Sequence, residues 1–467
     1  MIAGRALPIA AVILAAGKGT RMHSARPKVL QQVAGKPLLA WVLRAAREAG
    51  CQRLFVVVGH GADEVREELG AEDLTWVEQH EQLGTGHALA QVEEHLEGPA
   101  MLMVLSGDVP LVSPSTLAGL IGEARQGWGA MAVADLQDPG SLGRVVAGAD
   151  GNLERIVEAL DATAEELAIE RVNAGLYALP APEIFSHLAD LETDNAKGEL
   201  YLTDALTAAA TAGRKVALFA VADPREAWGV NDRQDLVRIH RELMKRKMDQ
   251  LMAAGVTILD PGSTTVEWEV EVGADTVIHP QVSLAGRTRI GSGCVLHQGV
   301  WIRDSSVGDN VSVEPYSVLD GAEASDSCRI GPFARLRPGA VLLAGARVGN
   351  FVEVKNSRLG EGVKANHLAY LGDTSVGSGS NIGAGVVTCN YDGQAKHHTE
   401  IGRNAFIGSD TMLVAPVEVG DAAVTAAGSV VSKDVPPGAL AIERTDQRNI
   451  LGWAKRRISW RKKKNQA

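Results

Sequence analysis

Two groups of residues in this chain have the types and spacing that handle phosphate. The first is Leu14-Ala15-Ala16-Gly17-Lys18-Gly19-Thr20-Arg21-Met22, with Arg26-Pro27-Lys28 just downstream. A Gly-rich turn at the end of a strand aims backbone N–H groups at phosphate oxygens, and Arg21 and Lys28 add local positive charge. The third glycine of a dinucleotide fingerprint is missing, and so is the Gly-Lys-Ser/Thr spacing of a P-loop. The second group is spread over residues 331–339, 350–355 and 364–373 and contributes Arg337, Lys355 and His367. Local cations are needed for any anionic ligand, because the chain as a whole carries a net charge of −11. That balance argues against a general nucleic-acid binder, whose affinity comes from neutralising many phosphates.

The elements that hold the second group form a repeat. From about Val272 to Pro436 an aliphatic residue recurs every sixth position, usually followed by glycine, as in Ile382-Gly383, Ile401-Gly402 and Ile407-Gly408. A period of six fits neither a helix nor an alternating strand. It fits a β-solenoid whose coils have three flat sides, the aliphatic side chain pointing inward and glycine easing the corners. Residues about one coil apart stack on one side. Arg337 and Lys355 are eighteen positions apart, so they share a face and can bracket a phosphate. His367, twelve residues beyond Lys355, falls on another side of its coil and could join that phosphate from a corner or across a subunit boundary. The steps from Ile302 to Val307, Val354 to Leu359 and Leu371 to Val376 are five residues long, which shortens a turn and leaves the inward stack intact. A polar insertion between Thr388 and Ile401 turns at Asp392-Gly393, and such excursions are where binding groups tend to sit. Two of its residues, His397 and His398, receive no role.

Ahead of the repeats, strand signals at residues 12–15, 54–58, 101–105 and 131–134 alternate with helical ones such as 38–49. This predicts an α/β domain with a parallel, helix-covered sheet, its ligand beyond the carboxyl ends of the strands. Residues 234–254 carry Leu236, Val237, His240, Leu243, Met244, Met248, Leu251 and Met252, and read as one amphipathic helix of about 30 Å. The expected division is a nucleotide-handling domain at 1–233, a linker helix at 234–255, a solenoid at 256–452 and a basic tail at 453–467, rich in Lys and Arg from Lys455 to Lys464. Arg5 and the apolar run to Ala16 have the look of a signal peptide, but leading into Gly17 they read better as a buried strand. No other segment approaches the length of a membrane span. Cys51, Cys294, Cys328 and Cys389 show neither paired nor metal-ligand spacing and are expected to be free thiols in a cytoplasmic protein.

The first group, together with Pro27-Lys28, resembles the signature of the sugar-1-phosphate nucleotidyltransferases. The stretches from Gln79 to Ala88, from Ser106-Gly107-Asp108 to Leu111, and Gly229-Val230-Asn231 are similar to later motifs of that family. Joined to a hexapeptide solenoid, they resemble the bacterial bifunctional N-acetylglucosamine-1-phosphate uridylyltransferase/glucosamine-1-phosphate N-acetyltransferase family, from about Ala10 to Trp453.

This resemblance implies a Rossmann-like domain joined by a long helix to a left-handed parallel β-helix, in a homotrimer with neither nucleic-acid nor membrane partners. It implies Mg²⁺ on Asp108 and Asn231, no tightly bound organic cofactor, and UTP and acetyl-CoA as substrates. Arg21 and Lys28 would stabilise the reacting phosphates. Leu14, Ala15, Ala16, Gly17, Ser106 and Gly107 match the nucleotide cradle, Gln79, Gly84 and Thr85 the uracil contacts, and Gly143, Glu158 and Asn173 the sugar contacts. In the solenoid His367 would be the general base, with Arg337, Lys355, Tyr370 and Asn381 on the sugar phosphate. Ala384, Asn390, Tyr391, Ser409, Ala427 and Arg444 would line the CoA cleft. Leu142 before Gly143 and Ala159-Leu160-Asp161 after Glu158 depart from the family pattern, both near the sugar. Two other readings are a monofunctional nucleotidyltransferase with a regulatory or oligomerising solenoid, and a non-catalytic scaffold. Arg337, Lys355 and His367 speak against the first; Arg21, Lys28, Asp108 and Asn231 speak against the second.

Overall fold

The computed structural model describes residues 7–193, 195 and 198–456. The expectations for residues 1–6 and for the tail from 457 onward lie outside the described residues. The chain divides into two compact units, Met1–Arg246 and Lys247–Ala467.

In the first unit the apolar run Ile9–Leu14 is the central strand, flanked in parallel by Arg53–Val58 and Ala100–Ser106. Its residues alternate between two hydrophobic layers: Ala11 and Ile13 pack into one, Ala10 and Val12 into the other. A strand buried on both faces has no polar side, which explains why this one reads as continuously apolar. Leu74–Glu78 extends the parallel set at one edge. On the other side the sheet departs from the expected all-parallel form. Arg171–Ala181 runs antiparallel to both Ala100–Ser106 and Gly129–Asp135. The chain reaches this strand through an antiparallel pair, Arg144–Ala147 and Leu153–Val157, so it re-enters the sheet from the opposite end. Val216–Ala220 then closes the edge in parallel with Gly129–Asp135. The predicted amphipathic helix is present at Arg233–Ala253.

The second unit is a left-handed β-helix of hexapeptide repeats. Among the described residues its strands form three parallel sheets of eleven, ten and nine strands. The first sheet starts at Thr257–Ile258, earlier than the legible repeats, because the first coil lacks the aliphatic-Gly signature. Ile278, Leu296, Val313 and Ile330 stack inward with no exposure, one from each successive coil. The three five-residue steps read from the sequence, and a further one from Leu319 to Ala324, fall at the corner between the second and third sheets, where Asp304, Asn356 and Asp373 adopt left-handed φ of 47°, 44° and 48°. Asn and Asp tolerate that conformation better than other side chains. The insertion after Cys389 leaves from the same corner, so one edge of the solenoid absorbs both deletions and the excursion. The four cysteines are free, and burial pushes the Cys51 and Cys328 thiols up to about 11.

Candidate active sites

The parallel strands of the first unit deliver their carboxyl ends to one rim, where a cavity of about 450 Å³ opens. Leu14, Ala15, Ala16, Gly17, Lys28, Gln79, Gly84, Thr85, Ser106 and Asp108, all singled out in the sequence, line it together, and Lys18, Gln82 and Glu199 join them. Gly19 has φ 59°, and a Cβ there would sit 2.7 Å from the Lys28 Cβ, so this loop closes only around glycine. The Gly107 N–H donates to the Leu14 carbonyl (2.9 Å), tying two strand ends together and setting Asp108 beside the loop. There the Lys28 ammonium contacts the Asp108 carboxylate directly.

The Val230 N–H donates to the Asp108 carbonyl (3.0 Å), which brings Asn231 alongside. Its side-chain Oδ1 accepts from the Arg21 guanidinium at 2.8 Å, and its own N–H is held by Asp235 at 3.0 Å. Asp108 and Asn231 thus each face a cation from the phosphate loop. A carboxylate and a carboxamide oxygen are hard oxygen donors, and two of them suit Mg²⁺, which takes few protein ligands and keeps waters and phosphates.

The other end of this region is acidic. Gly143 lies against Glu158, where a Cβ would come 3.4 Å from Oε1, and its carbonyl accepts from the Asn173 N–H at 2.9 Å. Thr203 donates to Glu158 (3.1 Å), and the Asn173 amide donates to the Tyr177 hydroxyl (2.7 Å). Burial, helped by Glu199, Glu158, Asp161 and Asp204, pushes the Tyr201 hydroxyl up to about 12. Burial likewise raises Asp204, with Asp161 adding to the shift. Such a surface repels a second phosphate and accepts from hydroxyls, as a sugar ring requires. Leu200 carries this segment to the cavity: its carbonyl would be 2.5 Å from a Cβ on Gly84, whose φ is 115°. Glu199 and Thr203 belong to no motif legible in the sequence, since the run around Gly198-Glu199 carries no recognisable spacing.

In the solenoid two columns of side chains run up successive coils. One contains Arg337, Lys355 and Gly372, in register one above the next. The Lys396 ammonium, from the insertion, lies beside Lys355 and holds its pKa below the ordinary lysine value, with Arg337 adding to the effect. Arg337 is paired with Glu353 at 2.8 Å and Asp373 lies close to both lysines, so Lys355 and Lys396 are the cations left to draw an anion here, and Lys396 was not foreseen. Tyr370 folds close to Gly372, where a Cβ would lie 2.5 Å from its hydroxyl. The Asn390 amide donates to Asp373, as does Asn356. Burial opposes ionisation of Asp373, but these amides together with Lys396 and Lys355 outweigh it and hold its carboxyl below the ordinary range.

The other column is Asn350, His367, Ala384, Ser409 and Ala427, aligned by the register of the first sheet. The predicted CoA contacts Ala384, Ser409 and Ala427 therefore stand in file with His367, and Arg444 donates to the Ala427 carbonyl at 2.8 Å. His367 is exposed, with Nδ1 3.0 Å from the Asn350 carboxamide oxygen. That oxygen only accepts, so Nδ1 carries the hydrogen and Nε2 is left as the base. Asn350 is a residue whose function the sequence reading did not assign. The two columns stand five residues apart along a coil, at His367 and Gly372, so one chain does not merge them. Asn381 is on the first sheet in register with Lys364, away from the Arg337–Lys355 column. Tyr391 is 61% exposed, its hydroxyl bonded to Gly393 within the insertion. The unassigned His397 and His398 have structural partners, Asp392 at 2.7 Å and Ser375 at 3.0 Å.

A model of the MobA-like NTP transferase domain matches residues 11–201, and one of the bacterial transferase hexapeptide (six repeats) matches residues 398–433. The chain is 48% identical over 442 residues to the bifunctional protein GlmU of Alkalilimnicola ehrlichii, covering 95% of each chain. It is 47% identical over 448 residues to that of Trichlorobacter lovleyi, covering 95% of this chain and 97% of the relative. With that of Pelobacter propionicus it shares 45% over 459 residues, covering 97% and 99%. With a nucleotidyltransferase domain, a hexapeptide domain and 45–48% identity over nearly its full length to these relatives, the chain belongs to the bifunctional GlmU family, which joins a UDP-N-acetylglucosamine pyrophosphorylase to a glucosamine-1-phosphate N-acetyltransferase.

Proposed function

We propose that the chain makes UDP-N-acetylglucosamine at two separate sites, acetylating glucosamine 1-phosphate in the solenoid and uridylylating the product in the first unit. The observation that carries this reading is the placement of two cationic anion-binding groups in different compact units, one beside a Mg²⁺-type ligand pair and one on the coils that present an oriented histidine. We assign residues 1–233 to uridylyl transfer, 234–255 to the linker, 256–452 to acetyl transfer and 453–467 to a tail.

In the solenoid Arg337, Lys355 and Lys396 hold the sugar phosphate, with Tyr370 against it. His367 Nε2 takes a proton from the C2 nitrogen, and the freed amine attacks the thioester of acetyl-CoA, whose arm lies along Ala384, Ser409 and Ala427. Asn390, Tyr391, Arg444 and Asn381 complete the substrate contacts. In the first unit the phosphate of the acetylated sugar attacks the α-phosphate of UTP, and pyrophosphate leaves. Lys28 and Arg21 neutralise the reacting phosphates, and Lys28 leaves Asp108 to do so. Gln79, Gly84 and Thr85 receive the base; Gly143, Glu158 and Asn173 receive the sugar hydroxyls. When bound, Mg²⁺ on Asp108 and Asn231 supplies charge neutralisation and alignment of phosphate oxygens.

The working unit in this reading is a trimer. Tyr316, Phe333, Phe351 and Leu368 form an exposed ladder up one corner of the solenoid, 47%, 48%, 59% and 61% accessible. Their rings stack at 5.6 and 5.5 Å. The ladder borders His367, and a second copy seated on it brings another chain's groups to a base that one chain leaves apart from its phosphate site.

The test is an assay that follows free thiol and pyrophosphate separately, with glucosamine 1-phosphate, acetyl-CoA, UTP and Mg²⁺. His367→Ala should lose thiol release yet uridylylate supplied N-acetylglucosamine 1-phosphate, while Asp108→Ala should do the reverse. An intact protein that releases pyrophosphate but never thiol would refute the acetyltransferase half.

A further inference from the structure

Gln79 is the residue in the first cavity whose hydrogen bonds are most fully specified. Its side chain is 3% exposed. The amide Nε2 donates to the Gly84 carbonyl at 3.1 Å and approaches His87 Nδ1 at 3.0 Å. A backbone carbonyl can only accept, so the nitrogen end of the amide must be the one turned toward Gly84. Its second hydrogen then goes to His87, which obliges Nδ1 to be the unprotonated ring nitrogen. Both donors of Gln79 are thereby consumed by the protein. No donor among the described residues reaches its Oε1, and Gln79 forms part of the cavity wall.

We infer that His87 is a positioning residue for nucleobase selection: by taking the second amide hydrogen of Gln79, it leaves that side chain presenting only an acceptor to the base. This rests on the reading of the cavity as the nucleotide site. The ligand class it selects is a nucleotide whose base carries an imide N3–H, as uracil does. Cytosine offers an unprotonated N3 at the same place, so two acceptors would face each other across a desolvated contact. Without His87 the Gln79 amide has one tether, Gly84, and can turn to offer its nitrogen to either base. With Nδ1 accepting, His87 Nε2 carries the ring hydrogen, so Gln91, one helical turn away at 3.2 Å, holds the ring from the other side only with its amide oxygen turned toward Nε2.

The experiment compares kcat/KM for UTP and CTP, with N-acetylglucosamine 1-phosphate as co-substrate, in the full-length protein and in two variants. His87→Leu removes the acceptor, while His87→Asn keeps one, because Asn Oδ1 stands where imidazole Nδ1 does. We expect the UTP-to-CTP ratio to fall by roughly tenfold or more in His87→Leu, chiefly through KM, and to recover in His87→Asn. Equal losses for both nucleotides in His87→Leu, or an unchanged ratio, would overturn the inference, since a purely structural role lowers both alike. A failure of His87→Asn to restore the ratio would overturn it too, and decides the matter if the leucine variant does not fold. A wild-type protein with no preference for UTP would instead sink the reading of Gln79 as the base contact, and the inference with it.

Discussion

The imidazole of His367 can work as a base only if the right nitrogen is bare, and Asn350 decides which one is. Replacing Asn350 by Ala frees the ring to take the other tautomer or rotate, so acetyl transfer should fall roughly ten- to a hundredfold in kcat, with uridylyl transfer untouched. Asn350→Asp keeps an acceptor and adds a charge that favours imidazolium, so it should retain most of the rate and move the acidic limb of the pH–rate profile upward. A profile that stays in place would show that the contact does not govern the base. Most of the nucleotide cavity was legible in the sequence because its residues come as short contiguous motifs at strand ends, such as those around Gly17 and Asp108. Asn350, Lys396 and Glu199 were not, because each acquires its role through register or an insertion that brings together residues remote in sequence. Lys396 reaches Lys355 across forty-one positions, a spacing no coil period predicts.

At the scale of elements, the six-residue period alone reveals the solenoid and the phase of its inward stack. The direction of Arg171–Ala181 was hidden, because strand propensity carries no sense of polarity, and only the intervening hairpin reverses it. The corner between the second and third sheets also carries the charge balance of the acetyl-transfer region. Asp373 there has a folded pKa below the ordinary aspartate value of 3.8, so its contribution to stability is full above that value and is lost as pH falls through the lower, folded one. Thermal melts between pH 6 and pH 2 should show the solenoid losing stability below about pH 4, and the loss should be shallower in Asp373→Asn. An identical pH slope in the variant would mean that Asn356, Asn390 and the two lysines do not bias this carboxylate.

For the whole molecule, the proposed trimer would tie assembly to chemistry through the exposed ladder of Tyr316, Phe333, Phe351 and Leu368. Phe351→Asp places a charge in the middle of that apolar strip and should convert the assembly to monomers by sedimentation. Acetyl transfer should fall with it, while uridylyl transfer, whose groups all lie within the first unit, should persist. A variant that remains assembled, or one that dissociates with acetyl transfer intact, would refute the shared site.

The single file of His367, Ala384, Ser409 and Ala427 gives the molecule something side chains cannot supply, a measuring stick. Adjacent coils are spaced by the distance between neighbouring strands, so His367 and Ala427, three coils apart, are separated by about 14 Å. On the reading proposed here, the length of the acyl carrier is therefore counted in whole coils. A carrier longer or shorter by a few bonds cannot be accommodated by exchanging one side chain, and adaptation to it would have to add or delete a turn of the helix.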